Sequence, residues 1–116
     1  MALESAQLRA IRSIFIELLE NDHWMMLDQD EVEARKTLKR YQKCNTQYAI
    51  ADFVLELLKK NFPLESVELT NPRYCPGTGY VMKRPYGYDI YIKLRLTDSI
   101  SDQELHIMSF HPEQPY

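Results

Sequence analysis

The segment Tyr88-Asp-Ile-Tyr-Ile-Lys-Leu-Arg-Leu96 alternates without a break. Tyr88, Ile90, Ile92, Leu94 and Leu96 share one parity, and Asp89, Tyr91, Lys93 and Arg95 share the other. Successive side chains of a strand point to opposite faces, so the pattern predicts a strand with one apolar core face. Its other face presents a phenol, an ammonium and a guanidinium at two-residue intervals. After the polar stretch Asp98–Gln103, the segment Glu104-Leu-His-Ile-Met-Ser-Phe-His111 predicts a second strand joined to the first by a hairpin.

Moving towards the N-terminus, strand grammar continues back to Pro63. Ser66–Thr70 and Gly79–Arg84 read as strands, Asn71–Gly79 as a loop with two prolines and two glycines, and Pro85-Tyr-Gly87 as a turn. Before Pro63 the grammar is helical. Leu3, Ala6, Ala10, Ile11, Ile14, Phe15, Leu18 and Leu19 follow helical spacing over Ala2–Glu20. His23–Leu27 is a short apolar run, either an extended link or a brief strand. Asp28–Asp30 offers a cap for a second helix over Glu31–Lys43, with Glu31 and Glu33 well placed in its first turn. Thr46 caps a third helix, Gln47–Asn61, whose Ile50, Phe53, Val54, Leu57 and Leu58 form a strong core face. The expected fold is α+β: one domain, 1–116, with a helical half (1–62) packed on a C-terminal antiparallel sheet (63–116) of three to four strands.

The composition, 45% hydrophobic and 27% charged, is that of an ordinary globular protein. No apolar run approaches the roughly 20 residues that span a bilayer, and residues 1–5 lack the features of a signal peptide. The chain therefore reads as cytoplasmic, with Cys44 and Cys75 as free thiols. Its net charge of −3 is unevenly spread. Residues 71–95 hold Arg73, Lys83, Arg84, Lys93 and Arg95 against Asp89 alone, a local +4, while the remainder carries nine basic and sixteen acidic groups. Such a local field attracts an anionic ligand even in an acidic chain. Arg35, Lys39 and Lys43 repeat at i, i+4, i+8 and predict a second basic stripe, suited to RNA or to a protein partner. The same run also suits a solvated helix face paired with Glu31 and Glu33.

Tyr91, Lys93 and Arg95 read in two ways: as the solvated side of a half-buried sheet, or, with His111 on the neighbouring strand, as a set that grips or cuts a phosphodiester. His23 and His106 read as structural. Five tyrosines between Tyr74 and Tyr91 suit a base-stacking platform, and equally suit strand formation. No metal signature, nucleotide-binding loop or membrane segment is present in the sequence, so no cofactor is expected.

Three blocks in fixed order resemble the MqsR/RelE-like toxins of bacterial type II toxin–antitoxin systems. They are Asn71-Pro-Arg-Tyr-Cys-Pro-Gly-Thr-Gly-Tyr-Val-Met-Lys83, the strand Ile90-Tyr-Ile-Lys-Leu94, and Ser109-Phe-His111 with its Pro/Glu tail. The likeness covers the last roughly 65 residues and none of the first 45. It implies a RelE-like fold and a metal-independent endoribonuclease held inactive by an antitoxin. It also implies catalytic roles for His111 and Tyr91, and phosphate contacts from Lys83, Lys93 and Arg73; Arg95, on the same strand face as Lys93, adds a bidentate phosphate donor by its own chemistry. The acidic balance and the Pro85-Tyr-Gly87 turn depart from the family pattern. The alternatives are a non-catalytic interaction or inhibitor protein on a similar fold, and an RNA-binding module without cleavage.

Overall fold

The computed structural model describes residues 4–70, 77–97 and 102–113. Its elements run α1 (Ala6–Glu20), β1 (Trp24–Met25), α2 (Asp28–Lys39), α3 (Gln47–Lys59), β2 (Glu65–Leu69), β3 (Gly77–Lys83), β4 (Tyr91–Leu96) and β5 (Leu105–His111), with a short 3-10 turn at Pro85–Gly87 between β3 and β4. The α+β class follows the sequence. Among the described residues, however, the sheet has five strands in the order β1-β5-β4-β3-β2, not three or four. The additional strand comes from the apolar run after α1. Trp24 and Met25 pair in parallel with Leu105 and His106, which makes the sheet mixed. The Leu105 N–H donates to His23 O at 2.9 Å, the slanted bond that parallel pairing of Trp24 with Leu105 requires.

Each boundary has a local cause. The Ser5 hydroxyl accepts from the Leu8 N–H and starts α1 at Ala6 rather than Ala2. Asp22 and Asn61, both left-handed, end α1 and α3, and the following N–H groups of His23 and Phe62 bond back to Leu18 O and Leu57 O. Arg12, midway along α1, then ties that helix to the end of α3. Its buried guanidinium donates to Leu58 O (3.1 Å), Phe62 O (2.7 Å) and both carboxylate oxygens of Glu4. The second helix stops at Lys39, not Lys43. The Leu38 carbonyl accepts from the N–H groups of both Tyr41 and Gln42, and Tyr41 leaves the helix to stack on Tyr88 at 4.2 Å. Lys43 therefore falls beyond α2, and the expected Arg35–Lys39–Lys43 stripe is not one helix face. Arg35 is held by Glu31 at 2.8 Å, an i, i+4 pair.

The helices pack on one face of the sheet. Phe53 meets Phe110 edge-on and Phe15 meets Tyr80 edge-on, with centroids 5.8 and 5.6 Å apart. Ala34, Leu38, Ile50, Val54, Leu57 and Leu58 from the helices join Met82, Ile90, Ile92, Leu94, Leu105 and Ile107 in one buried cluster. Each such side chain contributes about 1.5–3 kcal/mol of burial. Among the described residues no helix is long and apolar enough to cross a membrane.

Leu94→Ala, at a fully buried position, is expected to lower the unfolding free energy by about 2–5 kcal/mol. Ile14→Ala, at an exposed position of α1, should change it by no more than about 0.5 kcal/mol. Urea unfolding of the two variants measures the difference.

Candidate functional site

The face of the sheet away from the helices carries the candidate residues. β4 pairs antiparallel with β3 and β5, setting Lys83, Tyr91 and His111 on one rung and Val81, Lys93 and Ser109 on the next. Directly paired residues point to the same side of a sheet. The Tyr91 and His111 rings accordingly stack, with centroids 5.3 Å apart and planes inclined by 19°. Lys93 Nζ lies 5.8 Å from the Tyr91 ring centroid, within cation–π range. Lys83 reaches Glu65 on β2 at 3.6 Å, with both side chains about half exposed or more. An exposed pair of that kind is worth little and is readily given up to a better anion.

His111 has a defined tautomer. Its Nδ1 lies 2.7 Å from the Pro112 carbonyl oxygen, which only accepts, so Nδ1 carries the hydrogen. In the neutral ring Nε2 is then the acceptor. The backbone after His111 is held in turn. The Glu113 N–H donates to Asp89 Oδ1 at 2.9 Å, and the Glu113 carboxylate accepts from Arg84 Nε. The Asp89 N–H donates to the Tyr41 hydroxyl at 3.0 Å. Asp89, Arg84, Glu113 and Tyr41 support His111 and were not singled out by the sequence. Only the position of Asp89 within the alternating segment Tyr88–Leu96 offered a hint.

The pairing of β4 with β5 slips between Lys93 and Leu94, where Lys93 faces Ser109 and Leu94 faces Ile107. Met108 is left without an opposite residue, as in a β-bulge. Beyond the slip, Arg95 pairs with His106. Here the structure corrects the sequence. Tyr91 and Lys93 are half-buried and open to ligand, but Arg95 is only 8% exposed and its Nε donates to Leu96 O. It does not belong to a solvent-facing row. Leu69, Val81 and Met108 are buried too, apart from the main core cluster. The candidate face is therefore closed near Arg95 and open near His111. Arg73 lies outside the described residues. Among the described residues no group of three or more His, Cys, Asp or Glu side chains is placed to hold a metal ion. No family model, curated protein or solved structure matches the chain.

Burial pushes the His106 imidazole below its ordinary pKa of 6.5, the neighbouring Arg95 charge pushes it the same way, and Asp30 opposes them. The folded protein then binds this proton less readily than the unfolded chain. The associated stability is complete well above pH 6.5 and is lost as the pH falls from 6.5 through the folded value. Urea unfolding from pH 7.5 to 5.5 should show stability declining on acidification in the wild type. His106→Gln should remove that component of the slope.

Proposed function

We propose that the open part of this face binds single-stranded RNA and cleaves it without a metal, by attack of the 2′-hydroxyl on the adjacent phosphorus. The observation that carries the reading is the rung Lys83–Tyr91–His111 with Lys93 beside it. A phenol, an imidazole of defined tautomer and two ammonium groups share one exposed patch. In the reaction His111 Nε2 takes the proton of the 2′-hydroxyl, and the 2′-oxygen bonds to phosphorus. The bond from phosphorus to the 5′-oxygen breaks as the Tyr91 hydroxyl gives that oxygen its proton, and the proton held by His111 then returns to the Tyr91 phenolate, directly or through solvent. Lys83 and Lys93 stabilise the charge that grows on the non-bridging oxygens. The products are a 2′,3′-cyclic phosphate and a 5′-hydroxyl.

The resemblance to MqsR/RelE-like toxins supports the same chemistry and extends it to a RelE-like fold, a toxin role and an antitoxin partner. Helices on one face, a largely antiparallel sheet and a basic residue at the end of the last strand are compatible with that assignment. Arg95 takes no phosphate-binding role in this reading, because its guanidinium is buried. The same burial removes a bidentate phosphate clamp from binding and cleavage alike, and RNA binding without cleavage is the competing reading.

His111→Ala should slow cleavage of a single-stranded RNA by about 100- to 10,000-fold while leaving RNA affinity within a few-fold. Tyr91→Phe should slow it less, and EDTA should leave the wild-type rate unchanged. Gel-resolved cleavage and fluorescence anisotropy measure the two quantities. Tight binding of intact RNA by the wild type, unchanged in His111→Ala, would establish the non-cleaving reading.

A further inference from the structure

The hairpin that joins β3 to β4 is built against backbone preference. Pro85 O accepts from the Tyr88 N–H at 2.9 Å, so Tyr86 and Gly87 are the two central residues of a tight turn. Both have positive φ, 57° and 76°, and Arg84 before them is left-handed as well. This is the arrangement of a type I′-like turn, whose first central position is normally filled by Asn, Asp or Gly. A tyrosine there is strained, and the turn needs no side chain at that point. Gly87 satisfies its preference; Tyr86 does not.

The strain holds an aromatic ring outward. Tyr86 is 48% exposed. Phe53 meets its ring edge-on at 5.9 Å, and Tyr88 leans on it at 5.7 Å. Lys60 lies 5.4 Å from the ring centroid and 3.4 Å from the hydroxyl. The result is an aromatic shelf with Lys60, itself paired with Glu56 at 2.8 Å, at its side. Tyr86 lies three positions after Lys83, at most about 10 Å of chain. The shelf faces α3 and the Tyr91–His111 pair faces the other way, so both lie at the same end of the sheet, on either side of its rim. The exposed Arg84 side chain stands between them in sequence.

We propose that Tyr86 is a base-stacking subsite, taking one nucleobase of the RNA strand whose phosphates lie at Lys83 and Lys93. This rests on the RNA reading of the opposite face. It deepens that reading by giving the ligand a path round the rim and a single-stranded form, because a stacked base must be free of its pairing partner. Base–aromatic stacking tolerates any base, so the subsite supplies affinity and not sequence preference.

Tyr86→Asn separates function from folding, because Asn suits the left-handed position better than Tyr does. The probe is a fluorescently labelled oligoribonucleotide of six residues, 2′-O-methylated throughout so that it cannot be cut, with anisotropy as the readout. Tyr86→Asn should bind it about 5- to 100-fold more weakly, with a melting temperature equal to or above that of the wild type. Tyr86→Phe, which keeps the ring, should bind within a few-fold of wild type. An oligomer of the same length made wholly of abasic residues should bind the wild type and Tyr86→Asn alike. Equal affinity of Tyr86→Asn and wild type for the base-containing oligomer would overturn the subsite, as would no binding by the wild type. Cleavage is read separately. RNA cut by a Tyr86→Asn variant with unchanged KM defeats the shelf and leaves the nuclease standing. Tyr86-dependent binding in a wild type that cuts nothing leaves the shelf and defeats the nuclease.

Discussion

Tyr91 lies across from His111 because β4 and β5 must share a register that fills the core. Counted by simple alternation, Phe110, Met108 and His106 would lie together on one face of β5, and Leu105 and Ile107 with His111 on the other. The unopposed Met108 changes that count. Phe110 turns inward against Ile92, and after the slip Ile107 and Leu105 turn inward against Leu94 and Leu96. Burying Ile107 and Leu105 in the main core contributes about 1.5–3 kcal/mol each. The bulge reconciles the core on both sides of itself. It also fixes where the outer face is open and where it is closed.

Support for the open end comes from distant parts of the chain. Tyr41 leaves the end of α2, stacks on Tyr88 and holds the Asp89 N–H. Asp89 in turn holds the backbone of Glu113, two residues after His111. The imidazole is oriented by Pro112 O, within the same short segment. Tyr41 thus links the helical half to the site, while the helices supply the apolar surface that the sheet packs against. Arg12 joins α1 to the end of α3 through a guanidinium that donates to the Leu58 and Phe62 carbonyls.

Much of this was legible in the sequence, and the exceptions have physical causes. The unbroken alternation of residues 88–96 identified β4 and the pairing of Tyr91 with the His111 strand, although Tyr88–Ile90 belong to the turn and the strand proper starts at Tyr91. The dense apolar face of α3 was equally clear. β1 was not, since two residues show no period and acquire strand character only from their neighbour β5. The end of α2 was misjudged because good helix formers continue past Lys39, while the contact that ends the helix, Tyr41 on Tyr88, is 47 residues distant in sequence. Arg95 sits at a polar position of an alternating strand, and alternation reports the face of a sheet without reporting what covers it. The left-handed tyrosine at position 86 was invisible for a related reason: Pro-Tyr-Gly signals a turn without stating its type.

The central claim is that this face cleaves RNA through the ribose 2′-hydroxyl. The most direct measurement uses a short RNA that the purified wild type cuts at one bond, together with the same RNA carrying a single 2′-deoxy residue on the 5′ side of that bond. Product ends are identified by mass spectrometry. The account predicts a 2′,3′-cyclic phosphate and a 5′-hydroxyl from the first RNA, and no cleavage at that bond in the second. Cleavage of the 2′-deoxy substrate, products ending in a 3′-hydroxyl, or RNA that stays intact would contradict it.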